Sequence, residues 1–296
     1  MADPRSARTE RSSTRLAGEE RREVRLAWSL CAPALVAIGG VALFPLAWTA
    51  WESLHLHDLR MPWRGEPFVG LANYAEALSD GRFWGALAHT VFFAAACVTL
   101  ELALGLALAL ALHRRFRGRG LARTTTLLPW ALPTVVAALV WRFLFEGTGA
   151  LTDPHAAWVP VILADVWKTA PFVALLLLAG LQGIEGELYE AARVDGATAW
   201  QQLWQITLPL LRPALAVAVV FRSLDALRVF DLIYVLTNGG PGTATEPLAL
   251  YTFDSLLQDL RFGYGSALSM ILFALSFALA WVYVRLAGAA LLERAR

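Results

Sequence analysis

Lysine, cysteine and charge are all scarce in this 296-residue chain, and each shortage closes off a class of function. The single lysine, Lys168, follows Trp167 rather than a glycine. A Walker A loop needs Gly-Lys before Ser/Thr, because that lysine reaches the β- and γ-phosphates, so the chain has no P-loop of its own. The two cysteines, Cys31 and Cys97, lie inside apolar runs and leave no disulfide framework and no metal-ligand spacing. The five histidines (His55, His57, His89, His113 and His155) form no His-Glu-x-x-His or other ligand pattern, and no Gly-x-Ser-x-Gly elbow is present. Charged residues make up 17% against roughly 25% in an ordinary globular chain. Hydrophobic residues reach 57%, and mean hydropathy is +0.53. That balance excludes a cytosolic enzyme, a nucleic-acid binder and a disordered protein. Twenty-five basic and 24 acidic side chains nearly cancel, so net charge points to no polyanionic partner. What the chain has in excess is apolar sequence, and it reads as an integral membrane protein.

A helix needs about 20 mostly apolar residues to cross the hydrocarbon core. Six segments qualify: 26–51, 84–112, 123–145, 158–182, 211–236 and 264–288. The expected fold class is therefore all-α, a polytopic bundle of six transmembrane helices. Prolines 33, 45, 129, 133 and 171 fall within these spans, where neighbouring helices can satisfy the freed carbonyls. Arginine counts orient them. Seven arginines precede residue 26, five lie at 114–123, two at Arg193 and Arg212, and three at Arg285, Arg294 and Arg296. The opposite side holds only Arg60, Arg64, Arg82 and Arg261. Both termini are expected on the cytoplasmic face, with residues 1–25 an uncleaved tail: its mix of arginines and acids is too long for a signal peptide.

The segment 185–213 is the most informative. Gly196 separates two helix-forming pieces, and Pro209 and Pro213 are expected to end the second. Trp200 and Trp204 stand one turn apart beside an apolar face of Leu203, Ile206, Leu210 and Leu211. Read from the residues alone, two short helices bent at a glycine are either a docking device or an amphipathic connector resting on headgroups. The spacing Glu190-Ala191-Ala192, three residues, Gly196, nine residues, Ile206-x-Leu208-Pro209 resembles the EAA loop of ABC-importer permeases. Residues 68–74 (Phe-Val-Gly-Leu-Ala-Asn-Tyr), 221–237 and Asn238-Gly239-Gly240-Pro241-Gly242 resemble the carbohydrate-importing, maltose- and trehalose-type branch. Residues 165–172 look similar to actinobacterial trehalose permeases. The likeness runs from about residue 26 to 288.

The resemblance implies a type I ABC importer permease fold with a cytoplasmic coupling helix. Its layout would be a tail at 1–25, a first span with an external segment at 26–83, a five-helix core at 84–288 containing the loop 185–213, and a tail at 289–296. It implies that Glu190, Ala191, Ala192, Asp195 and Gly196, with Ile206, Leu208 and Pro209, seat the chain on an ATPase subunit. ATP and Mg would sit on two such partner ATPases, and this chain would bind no cofactor. A second related permease and an extracytoplasmic binding protein complete the implied assembly. The expected function is transport of a sugar, a disaccharide such as trehalose or maltose or another oligosaccharide, across the bacterial cytoplasmic membrane.

Charges inside a span are costly and default to a functional hypothesis. Arg222, Asp225, Arg228 and Asp231 recur every three residues with alternating sign. They either neutralise one another and pin span five, or form a polar wall along a translocation path with Phe230, Tyr234 and Asn238 beside it. Asp165, three residues before Lys168, is the expected partner of that lysine. Glu101 and Arg142 are bundle partners or lipid-boundary groups, and seven tryptophans, Trp28, Trp48, Trp51, Trp84, Trp130, Trp158 and Trp281, suit the interfacial belt. An ion-coupled secondary transporter with a relay of Glu101, Asp225 and Asp231 is the alternative; a structural scaffold is a weaker one, since it gains nothing from four charges in a span.

Overall fold

The computed structural model describes residues 24–114 and 116–294. The tail arginines before residue 24, Arg115 and Arg296 lie outside the described residues, as do most of the expected 1–25 tail and the last two residues of the C-terminal one. Apart from two isolated antiparallel bridges, every regular element described is helical. Five helices are long and apolar enough to cross a membrane, and a sixth span results if one bent pair counts as one.

The first compact unit ends at Glu52, and its described part is helix α1, Val24–Glu52. The second unit, 53–296, contains the rest. It opens on a segment, expected to be external, that is held by a bridge between His55 and Phe68 and another between Asp58 and Arg261. Asn73, near the start of α2 (Ala72–Ser79), donates from its amide to the carbonyls of Ser53 and His55 at 2.8 and 2.9 Å. The Arg60 guanidinium chelates Asp58 at 3.0 and 2.8 Å, and these bonds hold the Asp58 carboxyl below the usual carboxylate range.

Helix α3 (Gly81–His113) begins at Asp80, whose carboxylate accepts from the Arg82 N–H. Its buried positions Phe93, Cys97, Glu101, Gly105 and Ala109 step by four, so one narrow face packs inward. That face meets α6 (Trp158–Gln182), the central helix: 61% of its apolar window is buried, against 22% for α3. Contact is close because small residues permit it. A Cβ on Gly105 would lie 2.6 Å from Val173, and one on Gly180 would lie 2.6 Å from Ala214.

The third expected span is broken. Helix α4 (Arg119–Ala131) and helix α5 (Thr134–Phe145) meet at 88°. Leu132 is extended at ψ 139° because the ring of Pro133 disfavours helical geometry in the residue before it. Beyond α6 come α7 (Gly186–Val194) and α8, which runs unbroken from Ala199 to Ala226. Pro209 and Pro213 therefore do not end a helix, contrary to expectation. A π turn at Leu203–Thr207 precedes Pro209, and the Leu208 N–H reaches back to the Leu203 carbonyl. The extra residue in that turn displaces the carbonyl that the Pro209 ring would otherwise strike. Pro45 in α1 follows the π turn Gly39–Leu43 with the same offset.

The fifth span also ends earlier than expected. Residues 227–230 interrupt it, and α9 (Asp231–Leu236) is a separate short helix packed on α5 and α6. Helix α10 (Leu248–Phe253) and helix α11 (Phe262–Arg294) complete the chain. At one end of the bundle the Arg82 guanidinium pairs with Glu246 at 2.6 and 2.9 Å, and the Leu248 N–H donates to Thr90, fastening the start of α3 to the segment entering α10.

Gly105→Ala should lower the thermal midpoint of the detergent-solubilised chain, since overpacking costs about 1–3 kcal/mol. Gly85→Ala on the same helix, where a Cβ meets nothing within 4 Å, should leave it unchanged or slightly raised. Equal midpoints for the two variants would remove the close α3–α6 approach from the account.

Candidate functional site

The charged residues of α8 are not a row of equivalent groups. Arg222 is buried, 3% exposed, and points into the bundle. Its Nε and Nη2 donate to the two oxygens of Glu101 on α3 at 2.5 and 2.7 Å, a bidentate pair with a wholly buried carboxylate. Nη2 also donates to Asp165 on α6 at 3.0 Å. Nη1 pairs with Asp225, three residues on, whose side chain is 67% exposed. The Thr169 hydroxyl donates to Glu101 at 2.5 Å. One guanidinium thus joins α3, α6 and α8, and its last donor reaches the surface of the hollow beside it.

That hollow is a cleft of about 430 Å³ bordered by Arg222, Asp225 and Arg228 from the α8 end and by Lys168, Thr169 and Phe172 from α6. Trp130 of α4 forms a wall with Phe172, their rings stacked at 5.3 Å and 13°. A smaller hollow of about 140 Å³ shares the charged residues and extends to Thr134, Asp165, Phe230 and Asp231. The two hollows together therefore combine three cations, three carboxylates, hydroxyls and an aromatic plate, a surface that can hydrogen-bond and stack without excess charge of either sign.

Several expected residues sit elsewhere or in other company. Asp165 is not the partner of Lys168; it faces Arg222, and Lys168 lines the cleft. Arg228 bonds back to the Leu224 carbonyl at 3.3 Å, and Asp231 begins α9, so the ladder is broken after Asp225. Tyr234 stacks on Phe230 at 5.3 Å and meets Phe253 edge-on; of this aromatic trio only Phe230 lines a hollow, the smaller one, and Tyr234 lies outside both. Asn238 lies past the end of α9 in left-handed geometry (φ 52°), also outside them. Arg142 donates to the Val235 carbonyl at 3.1 Å and so is a bundle contact. Two tryptophans assigned to the interfacial belt have other places: Trp130 walls the cleft, and Trp158 packs against Phe92 at 5.1 Å. The cleft residues that reading the chain did not bring together are Thr169, Phe172 and Trp130, and it did not join Glu101 to Arg222 beside them.

The second feature is the turn at the foot of α8. Helix α7 closes with the Ala197 N–H bonded to Ala192 O at 2.8 Å and the Gly196 N–H to Arg193 O at 3.1 Å. Gly196 has φ +82°, the left-handed geometry that glycine adopts at such a helix end without penalty. Thr198 then caps α8 in a reciprocal box with Gln201. Glu190, Ala191, Asp195 and Gly196 are exposed, whereas Ala192, Ile206, Leu208 and Pro209 are half-buried and shape the π turn and the approach to it. Tyr189 ties α7 to that turn through the Thr207 hydroxyl at 3.0 Å. Val194, Trp200 and Trp204 stand out at 87%, 67% and 56% exposure, an apolar rim around the polar turn.

Residues 102–290 match the family described as "Binding-protein-dependent transport system inner membrane component". The chain belongs to this family. The trehalose/maltose transport system permease protein MalF of Thermococcus litoralis is 42% identical over 281 residues, covering 89% of this chain and 94% of that one. The trehalose transport system permease protein SugA of Mycobacterium tuberculosis is 41% identical over 285 residues, with 92% of each chain covered. A chain from the crystal structure of a bacterial ABC transporter that imports the acidic polysaccharide alginate has the same fold, with TM-score 0.75 at 22% identity over 92% of this chain and 98% of that chain. The protein is thus a multi-pass ABC-importer permease, a transport subunit and not an enzyme. The ion-coupled relay finds no support in this membership, and Glu101, its first member, is locked between Arg222 and Thr169.

Removing one side of a buried ion pair costs about 3–5 kcal/mol, because the other charge stays buried without a partner. Arg222→Gln should therefore cut the yield of monodisperse permease severely, and Asp225→Gln should not, since its carboxylate is exposed. Fluorescence-detected size-exclusion chromatography of the two variants measures this; similar profiles would show that Arg222 is dispensable to the bundle.

Proposed function

We propose that this permease works in an ATP-driven sugar importer, alternating between inward- and outward-facing states as two partner ATPases close and open on the Glu190–Gly196 turn. ATP and Mg belong to those partners. The observation that carries the reading is the continuity of α8: a single 28-residue helix leads from the exposed turn to Arg222 and Asp225 at the cleft. A push on the turn is delivered along a rod rather than through a loop. The absence of a P-loop lysine in this chain fits the division of labour.

The cleft fits a hydroxyl-rich solute, with Asp225, Lys168 and Arg228 as hydrogen-bonding groups and the Trp130–Phe172 plate for the apolar face of a pyranose. The relatives named for trehalose and maltose make a disaccharide the first candidate. A binding protein delivers the sugar at the external face, and a second permease, another chain or a second copy, supplies the other half of the path. The arginine distribution supports a cytoplasmic position for the turn and for both termini.

Uptake of radiolabelled trehalose and maltose in a host lacking its own permease tests the scheme. Gly196→Pro should abolish uptake while the chain remains in the membrane, because proline holds φ near −65° and cannot occupy a position at +82°. Asp225→Ala should reduce uptake at least tenfold with little change in abundance. Normal uptake in the Gly196→Pro strain would sink the coupling assignment, and parallel loss of Asp225→Ala protein and transport would return Asp225 to a structural role.

A further inference from the structure

Four of the arginines in the second unit are engaged by carboxylates: Arg60 with Asp58, Arg82 with Glu246, Arg222 with Glu101, and Arg261 with Glu76. Arg114, Arg117, Arg119 and Arg123, at the far end of α3 and the start of α4, have no such partner among the described residues. The sequence explains why: no acidic residue occurs from 102 to 145. Arg123 reaches back to the last turn of α3, with Nη2 at 3.4 Å from the Leu112 carbonyl, and its Nε is buried with no hydrogen-bond partner. Beside that turn lies an open groove of about 490 Å³, formed by Ala107, Leu110, Ala111 and Phe116 with Arg114 among them.

We propose that this groove binds an anionic phospholipid, an acyl chain lying along Ala107, Leu110 and Ala111 and the phosphate held by Arg114 with Arg123 next to it. The chemistry of the lining favours an amphiphile. Its floor has alanine and leucine and no hydroxyl, amide or carboxylate side chain, so a sugar would leave its hydroxyls unanswered. Among the described residues its one polar group is a guanidinium, whose planar fork suits phosphate oxygens. The groove lies on a helix long and apolar enough to cross the membrane, so its occupant comes from the bilayer. Neighbouring Leu121 and Leu128 are 72% and 59% exposed, and Leu121 shares a short helix with Arg119 and Arg123, which suits a helix lying at the headgroup level. Cations near an anionic surface each strengthen binding severalfold, and none of these four is neutralised by a carboxylate among the described residues. The site is independent of the sugar and of the coupling turn.

Native mass spectrometry of the full-length chain in detergent, titrated with dioleoyl phosphatidylglycerol or dioleoyl phosphatidylcholine, tests the proposal. Phosphatidylglycerol should be retained at least tenfold more strongly. Arg114→Gln with Arg123→Gln should weaken it by about thirtyfold, at roughly a fivefold factor for each cation, and leave phosphatidylcholine unaffected. Ala107→Phe fills the groove yet keeps every arginine, and with them the membrane topology; it should weaken phosphatidylglycerol retention as well. Equal retention of the two lipids, or full retention by Ala107→Phe, would overturn the site in favour of diffuse attraction to a basic loop. Displacement of the lipid by glycerol 3-phosphate at equal concentration would overturn it in favour of a free-phosphate site. Loss of a co-purifying soluble subunit from the double variant, with lipid retention unchanged, would make the arginines a protein contact instead.

Discussion

The guanidinium of Arg222 holds together what the apolar surfaces alone do not specify. Lipid tails are as apolar as leucine, so helices in a bilayer gain little from burying leucine against leucine; packing of small residues and polar contacts must set which faces meet. Here the two act at the same level. Gly105 lies one turn from Glu101 and lets α3 approach α6 closely, while Gly180 lets α6 approach α8. Those approaches bring Glu101, Asp165 and Arg222 within hydrogen-bond reach, and once they pair, the three helices cannot slide without breaking a buried ion pair. Neither carboxylate would be tolerable there without the arginine, and the arginine would be intolerable without them.

The same residue marks where a rigid part of the machine meets an adaptable one. Below Arg222, α8 continues without interruption to its capping box at Thr198. Above it the chain leaves the helix at Leu227, and Phe230 takes a backbone geometry belonging to neither helix nor strand before α9 begins. Arg228 and Asp231 sit on or beyond that break. A displacement of the foot of α8 therefore moves Arg222 and Asp225 directly, while residues past Ala226 can lag. The π turn at 203–207 lies near the foot and is braced by Tyr189, so α7 and α8 move there as one piece. Such a turn keeps its backbone groups bonded, unlike a loop, and so can redirect a helix around Pro209 without leaving polar groups unsatisfied.

Much of this architecture was legible in the chain, and the failures have two causes. Apolar length located the spans, and the spacing from Glu190 to Pro209 marked a stretch that the structure bends at Gly196. Local rules then misassigned partners. An i,i+3 argument pairs Asp165 with Lys168, yet Asp165 answers an arginine 57 residues away, and Glu101 answers the same one 121 residues away. Nothing in either local sequence distinguishes these from lipid-boundary charges, because the signal is a match between distant helices. Proline failed as a stop signal for a different reason. Its cost is set by the carbonyl four residues earlier, and a π turn moves that carbonyl aside. The break at Pro133, by contrast, followed the ordinary rule for the residue before proline.

The near-zero net charge takes on meaning once the charges are sorted by their partners. Around the two hollows, Asp165, Asp225 and Asp231 stand against Lys168, Arg222 and Arg228, three carboxylates facing three cations. A permanent excess of one sign would trap a counter-ion, and every transport cycle would have to strip it away. On the path proposed above, balanced charge avoids that trap while keeping strong donors and acceptors in place for a neutral, hydroxylated solute, whose bonds to them can be exchanged for bonds to water at either face. Arg222 contributes to this balance chiefly through what it withholds: with Glu101 and Asp165 occupying Nε and Nη2, only Nη1 faces the cleft, and Asp225 meets it there. The positive charge that crosses three helices to stabilise the bundle is thereby removed from the field a passing molecule would meet. At the basic end of α3 the arginines have no such partners among the described residues, and their charge is the part of the balance that the proposed lipid site would use.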